Sequence, residues 1–415
     1  MIKDSVKNYL AHVKLFTRDV RFYLGGTFCM GFSTAVLYLV YNLYLKQLGY
    51  GESVMGQVLF FIGLGTVITA LPAAMAADRF RLKKVMITAS LINGLSMILL
   101  AFVSDMRLLY LAAMVAGGGW TVHFVVASPF FMRNSGRTER THLFGVNFAL
   151  DWTAGLFGAL IGGYIPKLLL SHNVPLISGY RVSLILGAAM ALGSAFFYMM
   201  IRSPKPPKIR RLNWRKYIQG QSYNLTIKLG APQFLTGLGA GLVIPFLNIY
   251  FANRFQLDSA SIGRIFSIGQ VFTVIGFLAG PVLAKRFGLL KTVAFSQIAS
   301  IPFFLVLAFS YYLPGAVIAF WFRGSLMNMS WPLFNNFAME KVAPEYQAGT
   351  NSLMSLFWNI SWMLSSFAGG RLIEHYGFTP VMLITIALYI SVFFALFAFF
   401  RNDFAIGKAE SVQVE

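Results

Sequence analysis

The sequence predicts an all-α membrane protein: twelve transmembrane helices in two parallel six-helix pseudo-repeats. Three observations carry this. Of 415 residues, 57% are hydrophobic and only 12% charged, about half the charged share of a soluble chain. The apolar residues fall into runs long enough to cross a bilayer. Finally, a stretch of the first half recurs in the second without a gap.

In chain order, residues 1–21 are polar and basic and lack an apolar core and cleavage site, so no cleavable signal is expected there. Ile2, Val6, Leu10, Val13, Phe16 and Val20 recur at steps of three and four. They predict an amphipathic helix with Lys3, Lys7, Lys14 and Arg18 toward the lipid surface. Spans are expected at 22–47, 54–76, 85–104, 108–132, 143–169 and 181–201. A second set is expected at 229–252, 262–284, 290–310, 314–340, 347–372 and 378–400. With the N-terminus in the cytosol, only Lys46, Arg107, Lys167, Arg181, Arg254, Arg264 and Arg371 fall outside, and Arg323 lies within a span. The other 26 of the 34 Lys and Arg are cytosolic. This bias supports twelve spans with both termini cytosolic in the cell (inner) membrane. The net charge of +20 is then a topology signal, and no nucleic-acid partner is needed to explain it. The single cysteine, Cys29, excludes an intramolecular disulfide and a Cys-based metal site.

The repeat places "ALPAAMAADRFRLKKVMITASL" (70–91) over "FLAGPVLAKRFGLLKTVAFSQI" (277–298). Upstream, "NLYL" at Asn42–Leu45 matches "NIYF" at Asn248–Phe251, and Gly56 matches Gly263; Pro129 and Pro332 occupy corresponding spans. The expected division is an N-terminal half at 1–202, a Pro-rich basic linker at 203–222 and a C-terminal half at 223–415. Parallel repeats with a site between them are an architecture of secondary transporters.

At the turn between spans two and three, Asp78, Arg79 and Lys83 match the pattern Gly-x-Leu-Ala-Asp-Arg-x-Gly-Arg-Lys. The pattern's glycines are Ala74 and Arg81 here; the second copy keeps Gly288 but has Lys285 in place of the acid. In these features the chain resembles the major facilitator superfamily. The resemblance implies that Asp78 and Arg79 form a cytosolic gate, with Lys83, Arg133 and Arg140 around it, holding the outward-facing state closed. The alternative is that these cations only anchor the topology. In span five, Gly145, Ala154, Gly158, Ala159, Gly162 and Gly163 keep the spacing of the drug–proton antiporter signature, with alanine for one glycine and for the proline. Small residues there let helices five and eight approach closely as a seal.

Ionisable groups inside a membrane are costly and point to function. Asp151 lies about 12 Å and His123 about 15 Å from the cytosolic ends of their spans, at ~1.5 Å per residue. A carboxylate beside an imidazole in low dielectric suits proton uptake and release; a structural hydrogen bond, or pairing of Asp151 with Arg133, is the alternative. Arg323 suits an anionic group on a substrate; the alternatives are that it pairs with an internal carbonyl or Asp151, or snorkels outward. Arg323, Asn328, Trp331 and Asn335 fall at spacings that permit a shared face. Trp120, Trp152, Gln270, Trp358, Asn359 and Trp362 suit an amphipathic substrate or serve as packing. Asn42 and Asn248 are expected at an outer gate or as glue between helices.

No P-loop, HExxH, GxSxG or CxxC pattern occurs, so an enzyme, a cofactor or a bound metal is not expected. The expected function is secondary transport by alternating access: proton-coupled export of an amphipathic small molecule by a monomer in the lipid bilayer. Proton-coupled import of a sugar or other metabolite, and lipid or lysophospholipid flipping, are the alternatives. The scarcity of Gln, Asn and acidic groups in the spans favours export or lipid handling.

Overall fold

The structure, a computed structural model, describes residues 15–202, 223–343 and 346–406. The expected amphipathic helix lies largely outside these residues, as does the linker. Six helices come from the first half: α1 (Arg18–Gln47), α2 (Glu52–Arg79), α3 (Leu82–Phe102), α4 (Met106–Asn134), α5 (Arg137–Ser171) and α6 (Leu176–Met199). The second half gives α7 (Tyr223–Val243), α8 (Leu247–Arg254), α9 (Ser259–Phe287), α10 (Leu289–Phe309), α11 (Leu313–Lys341), α12 (Gln347–Tyr376), α13 (Phe378–Phe399) and the short α14 (Arg401–Ile406). Among the described residues there is no strand.

Ten helices are long and apolar enough to cross a membrane by length and composition, taking Asn224–Arg254 as one. α11 and α12 have the length, 29 and 30 residues, but carry Arg323, Asn328, Asn335 and Asn359. The expected continuous span at 229–252 is interrupted. Ile244–Phe246 form a 3₁₀ turn between α7 and α8, because Pro245 has no N–H to continue the helical ladder.

Helix ends follow local chemistry. Asp105 caps α4, its carboxylate accepting from the amides of Arg107 and Leu108 at 3.0 Å each. The two copies of the basic turn end differently. Gly288 has φ of +90° and donates its amide to the Ala284 carbonyl at 2.8 Å, a left-handed stop that favours glycine. Arg81, its counterpart, is extended at φ −65°, ψ 123°, so that copy tolerates a side chain.

By packing, the helices form two compact units. The first comprises the described residues of Met1–Gly49, Phe61–Arg210 and Asp258–Ser267; the second those of Tyr50–Phe60, Arg211–Leu257 and Ile268–Glu415. In the first, α1 packs on α5 and α6, and α3 on α4 and α6. In the second, α7 packs on α12 and α13, and α10 on α11 and α13, which is the same scheme in the second repeat. Each unit also takes the opening turns of one helix from the other half of the sequence. Within the first, a Cβ on Gly263 would stand 2.6 Å from the Ala159 carbonyl oxygen and 3.3 Å from the Gly163 Cα. Within the second, a Cβ on Gly56 would stand 2.7 Å from the Ser366 carbonyl oxygen and 3.1 Å from the Gly370 Cα. Each residue in one contact lies 207 positions from its counterpart in the other, the same offset as the repeated turn.

Candidate functional site

Within the first unit a polar cluster sits on four helices. Tyr23, Thr27 and Gly31 follow at steps of four, so α1 presents them on one face; on α5, Asn147 and Asp151 do the same. The Thr27 hydroxyl donates to Asn147 Oδ1 at 3.0 Å. One turn on, a Cβ on Gly31 would stand 2.5 Å from Asp151 Oδ1, so glycine is what allows the carboxylate to lie against α1. α4 contributes His123, buried, and α6 contributes Tyr198, whose hydroxyl is 2.9 Å from His123 Nδ1. The Tyr23 ring stacks on Phe130 at 4.5 Å and runs within 7° of parallel to His123 at 6.1 Å.

Among the described residues Asp151 and His123 share no hydrogen bond: the imidazole bonds to Tyr198, and the carboxylate lies against Gly31 of α1. Among the described residues no hydrogen bond or ion pair reaches the Asp151 carboxylate. Arg133, its alternative partner, donates instead to the Ala77 carbonyl at 3.5 Å. Tyr198 is the residue that sequence reasoning missed: a tyrosine at the end of an apolar span looks like an interfacial anchor.

In the second unit, Arg323 on α11 is 6% exposed. Its guanidinium donates to the Tyr389 hydroxyl on α13 at 2.7 Å and stands 4.9 Å from the Phe304 ring centroid on α10. At about 100° per residue, Arg323 lies roughly 140° round the helix from Asn328, which bonds back to its own Gly324 carbonyl at 2.9 Å. Trp331 is exposed and Asn335 half-buried, and these two share the sector of Asn328.

The remaining candidates are dispersed. Trp120 lies 5.9 Å from His123, ring to ring, and Trp152 lies 5.9 Å from Phe148. Gln270 has a buried Oε1 without a partner. Trp358 stacks on Trp362 at 5.8 Å, and Asn359 bonds back to the Ser355 carbonyl. In the α5 stripe, Ala154, Gly158 and Gly162 face Gly31, Phe32 and Val36 of α1, while Gly163 faces Ser259 and Gly263 of α9. A Cβ on Gly145 would meet nothing within 4 Å. The stripe thus packs mainly on α1, with α9 touching its far end.

At the basic end, Lys83 donates to the Met199 carbonyl at 2.5 Å. Arg140 closes the end of α4, donating to the Ser135 carbonyl at 2.9 Å, and Arg79 lies over Phe80. The Asp78 side chain falls outside the described set. At the opposite ends, Asn42 and Asn248 are buried, and their neighbouring tyrosines make matching contacts. Tyr44 donates to the Ala101 carbonyl at 2.7 Å, and Tyr250 to the Leu307 carbonyl at 2.6 Å. These tie α1 to the end of α3 and α8 to the end of α10. Among the described residues no group of three His, Cys, Asp or Glu gathers to hold a metal ion.

The family model of the Major Facilitator Superfamily matches residues 23–222 and 231–413. The chain belongs to this superfamily. It is a multi-pass membrane transporter and not an enzyme. The transporter is 28% identical over 164 residues to the multi-drug resistance efflux pump PmrA of Streptococcus pneumoniae, 35% of this chain and 38% of the pump. It is 28% identical over 176 residues to a Na(+), Li(+), K(+)/H(+) antiporter of Planococcus maritimus, 41% and 40% of the two chains. These two matches therefore span well under half of each relative. The match to the quinolone resistance protein NorA of Staphylococcus aureus is longer, 21% identity over 343 residues, covering 80% and 79%. Among solved structures, the nucleoside transporter NupG superposes with a TM-score of 0.74 at 16% identity, covering 93% of this chain and 100% of that one. That likeness is one of fold.

Proposed function

We propose that this transporter exports an amphipathic small molecule across the cell membrane in exchange for protons, by alternating access and with both termini cytosolic. The observation that carries the reading is the Asp151 carboxylate, set against α1 at Gly31 inside the first unit. An intramembrane carboxyl without a salt-bridge partner is costly unless its protonation changes with the transport cycle. Tyr198 and His123, hydrogen-bonded to each other, extend that polar path through α6 to α4. Efflux and cation/proton antiport in the named relatives support the direction and the coupling ion. The exposed Trp331 and the stacked Trp358 and Trp362 offer flat apolar surface to an aromatic cargo.

The test uses proteoliposomes with an imposed pH gradient and ethidium, an amphipathic aromatic cation, as probe. The native chain accumulates ethidium against its gradient, and a protonophore collapses the accumulation. Asp151→Asn abolishes the gradient-driven accumulation while ethidium exchange without a gradient continues. Undiminished proton-driven transport by this variant would overturn the assignment of Asp151.

A further inference from the structure

A feature that the transport reading leaves unused lies at the basic end of the first unit. Between the start of α3 and the end of α6 is a cleft of about 580 Å³, lined by Arg81, Lys84 and Arg202 and by Ile87, Met199 and Met200. We propose that this cleft binds the headgroup of an anionic phospholipid from the surrounding leaflet, its phosphate held by the three cations and its acyl chains laid along α3 and α6.

Charge and geometry both point there. Arg81 and Lys84 are exposed, and among the described residues neither is paired with a carboxylate. The N-cap of α3 is Arg81, which makes no side-chain cap, so the leading amides of a 21-residue helix add their positive end to the same place. Lys83 is occupied otherwise. It donates to the Met199 carbonyl at 2.5 Å, fixing the two walls and covering the negative end of α6. Asp19 accepts from the backbone amide of Arg202 at 3.1 Å and holds the turn that carries the third cation.

The apolar lining separates a lipid from free phosphate. Ile87 lines the cleft, and Leu91 and Leu95 follow it at steps of four on one face of α3; they are 43% and 56% exposed. On α6, Phe196 precedes Met200 by four and is 55% exposed. A continuous exposed apolar stripe thus leaves the basic cleft and runs for about 12 Å at ~1.5 Å per residue. Basic pockets between transmembrane helices with such a continuation suit phospholipids. The repeat supplies its own contrast. The counterparts of Arg81 and Lys83 are Gly288 and Leu290, so the second half lacks the same arrangement.

The experiment measures thermal unfolding and native mass spectra of the full chain in detergent. Three additives are compared: dioleoyl-phosphatidylglycerol, dioleoyl-phosphatidylcholine and inorganic phosphate. Phosphatidylglycerol raises the midpoint and stays bound, and the other two do neither. The variant Arg81→Gln, Lys84→Gln, Arg202→Gln loses about tenfold or more of that affinity. Lys285→Gln, Arg286→Gln, Lys291→Gln, the same charge change on the other repeat, keeps it. Should the first variant not fold, a photoreactive phosphatidylglycerol on the native chain reports instead, labelling residues 81–95 and 196–202. Equal loss in both triple variants, an equal effect of phosphatidylcholine or phosphate, or labelling elsewhere overturns the proposal.

Discussion

Arg323 and Tyr389 form a pair whose cost and function are separable. The guanidinium is buried, and its Nε is without a partner, so the bond to Tyr389 carries much of its satisfaction. Hydrogen bonds to charged groups contribute about 1.5–3 kcal/mol, and Tyr389→Phe is expected to destabilise the chain by about that amount in denaturant unfolding. Arg323→Met combined with Tyr389→Phe is expected to cost less than the two single changes added together, because no buried charge is then left alone. At the other end, Lys167 and Asp258 pair at 2.6 Å with both side chains about half exposed. Burial by itself would raise the Asp258 carboxyl. Hydrogen bonds from Lys167 and from the Ser261 amide outweigh it and hold the carboxyl below its ordinary value. A depressed carboxylate contributes its stability fully above its unfolded value, about 3.9, and loses it as pH falls through the lower folded value. The protection factors of amides in the first turn of α9 are therefore expected to fall below about pH 4 in the native chain. In Asp258→Asn they are expected to be low at neutral pH already and to change little with acid. Added salt is expected to shrink the difference.

The element scale is where glycine positions decide packing. Motif spacing treats Gly145 and Gly163 alike, yet a Cβ meets nothing at the first and the Ser259 carbonyl at 2.5 Å at the second. Gly145→Ala is expected to be neutral or to stabilise the helix by about 0.5–1 kcal/mol. Gly163→Val and its counterpart Gly370→Val are expected to abolish transport alike, because the bulk strikes backbone that has nowhere to move. Thermal unfolding and ethidium transport of the three variants check this. Spans were legible because lipid demands about 20 apolar residues and internal backbone bonding. The break at Pro245 was not, since seven helices, α7 among them, carry an internal proline without breaking at it. Nor was the partner of the α5 stripe, because small residues state that some helix approaches and not which one.

At the scale of the whole molecule, each packed unit contains the opening turns of a helix from the other half of the sequence. Residues 1–202 or 223–415 expressed alone are thus each expected to be degraded, and the two expressed together to purify as one species. Recovery of a stable, folded single half in the membrane fraction would contradict this. In the proposed orientation, with both termini cytosolic, the bias of Lys and Arg toward one face also holds the topology. Moving cations to the outer loops is expected to lower insertion, read by protease protection of the loops.

The sequence by itself predicted apolar spans in two like halves, and its motifs resemble the superfamily whose model the chain matches. Each follows from one-dimensional quantities: the length of apolar runs, the side on which cations fall and a fixed repeat offset. It also marked Asp151, His123 and Arg323, because charge in lipid is rare enough to be conspicuous without coordinates. Only the tertiary structure decided what those groups touch. Tyr198 and Tyr389 are 75 and 66 residues away from His123 and Arg323 along the chain, and nothing local announces either contact. The same holds for the cleft at Arg81, Lys84 and Arg202, where residues separated by more than a hundred positions share one site. Hydrophobic length and charge are properties that each residue carries with it, whereas a partner is a property of the packed fold.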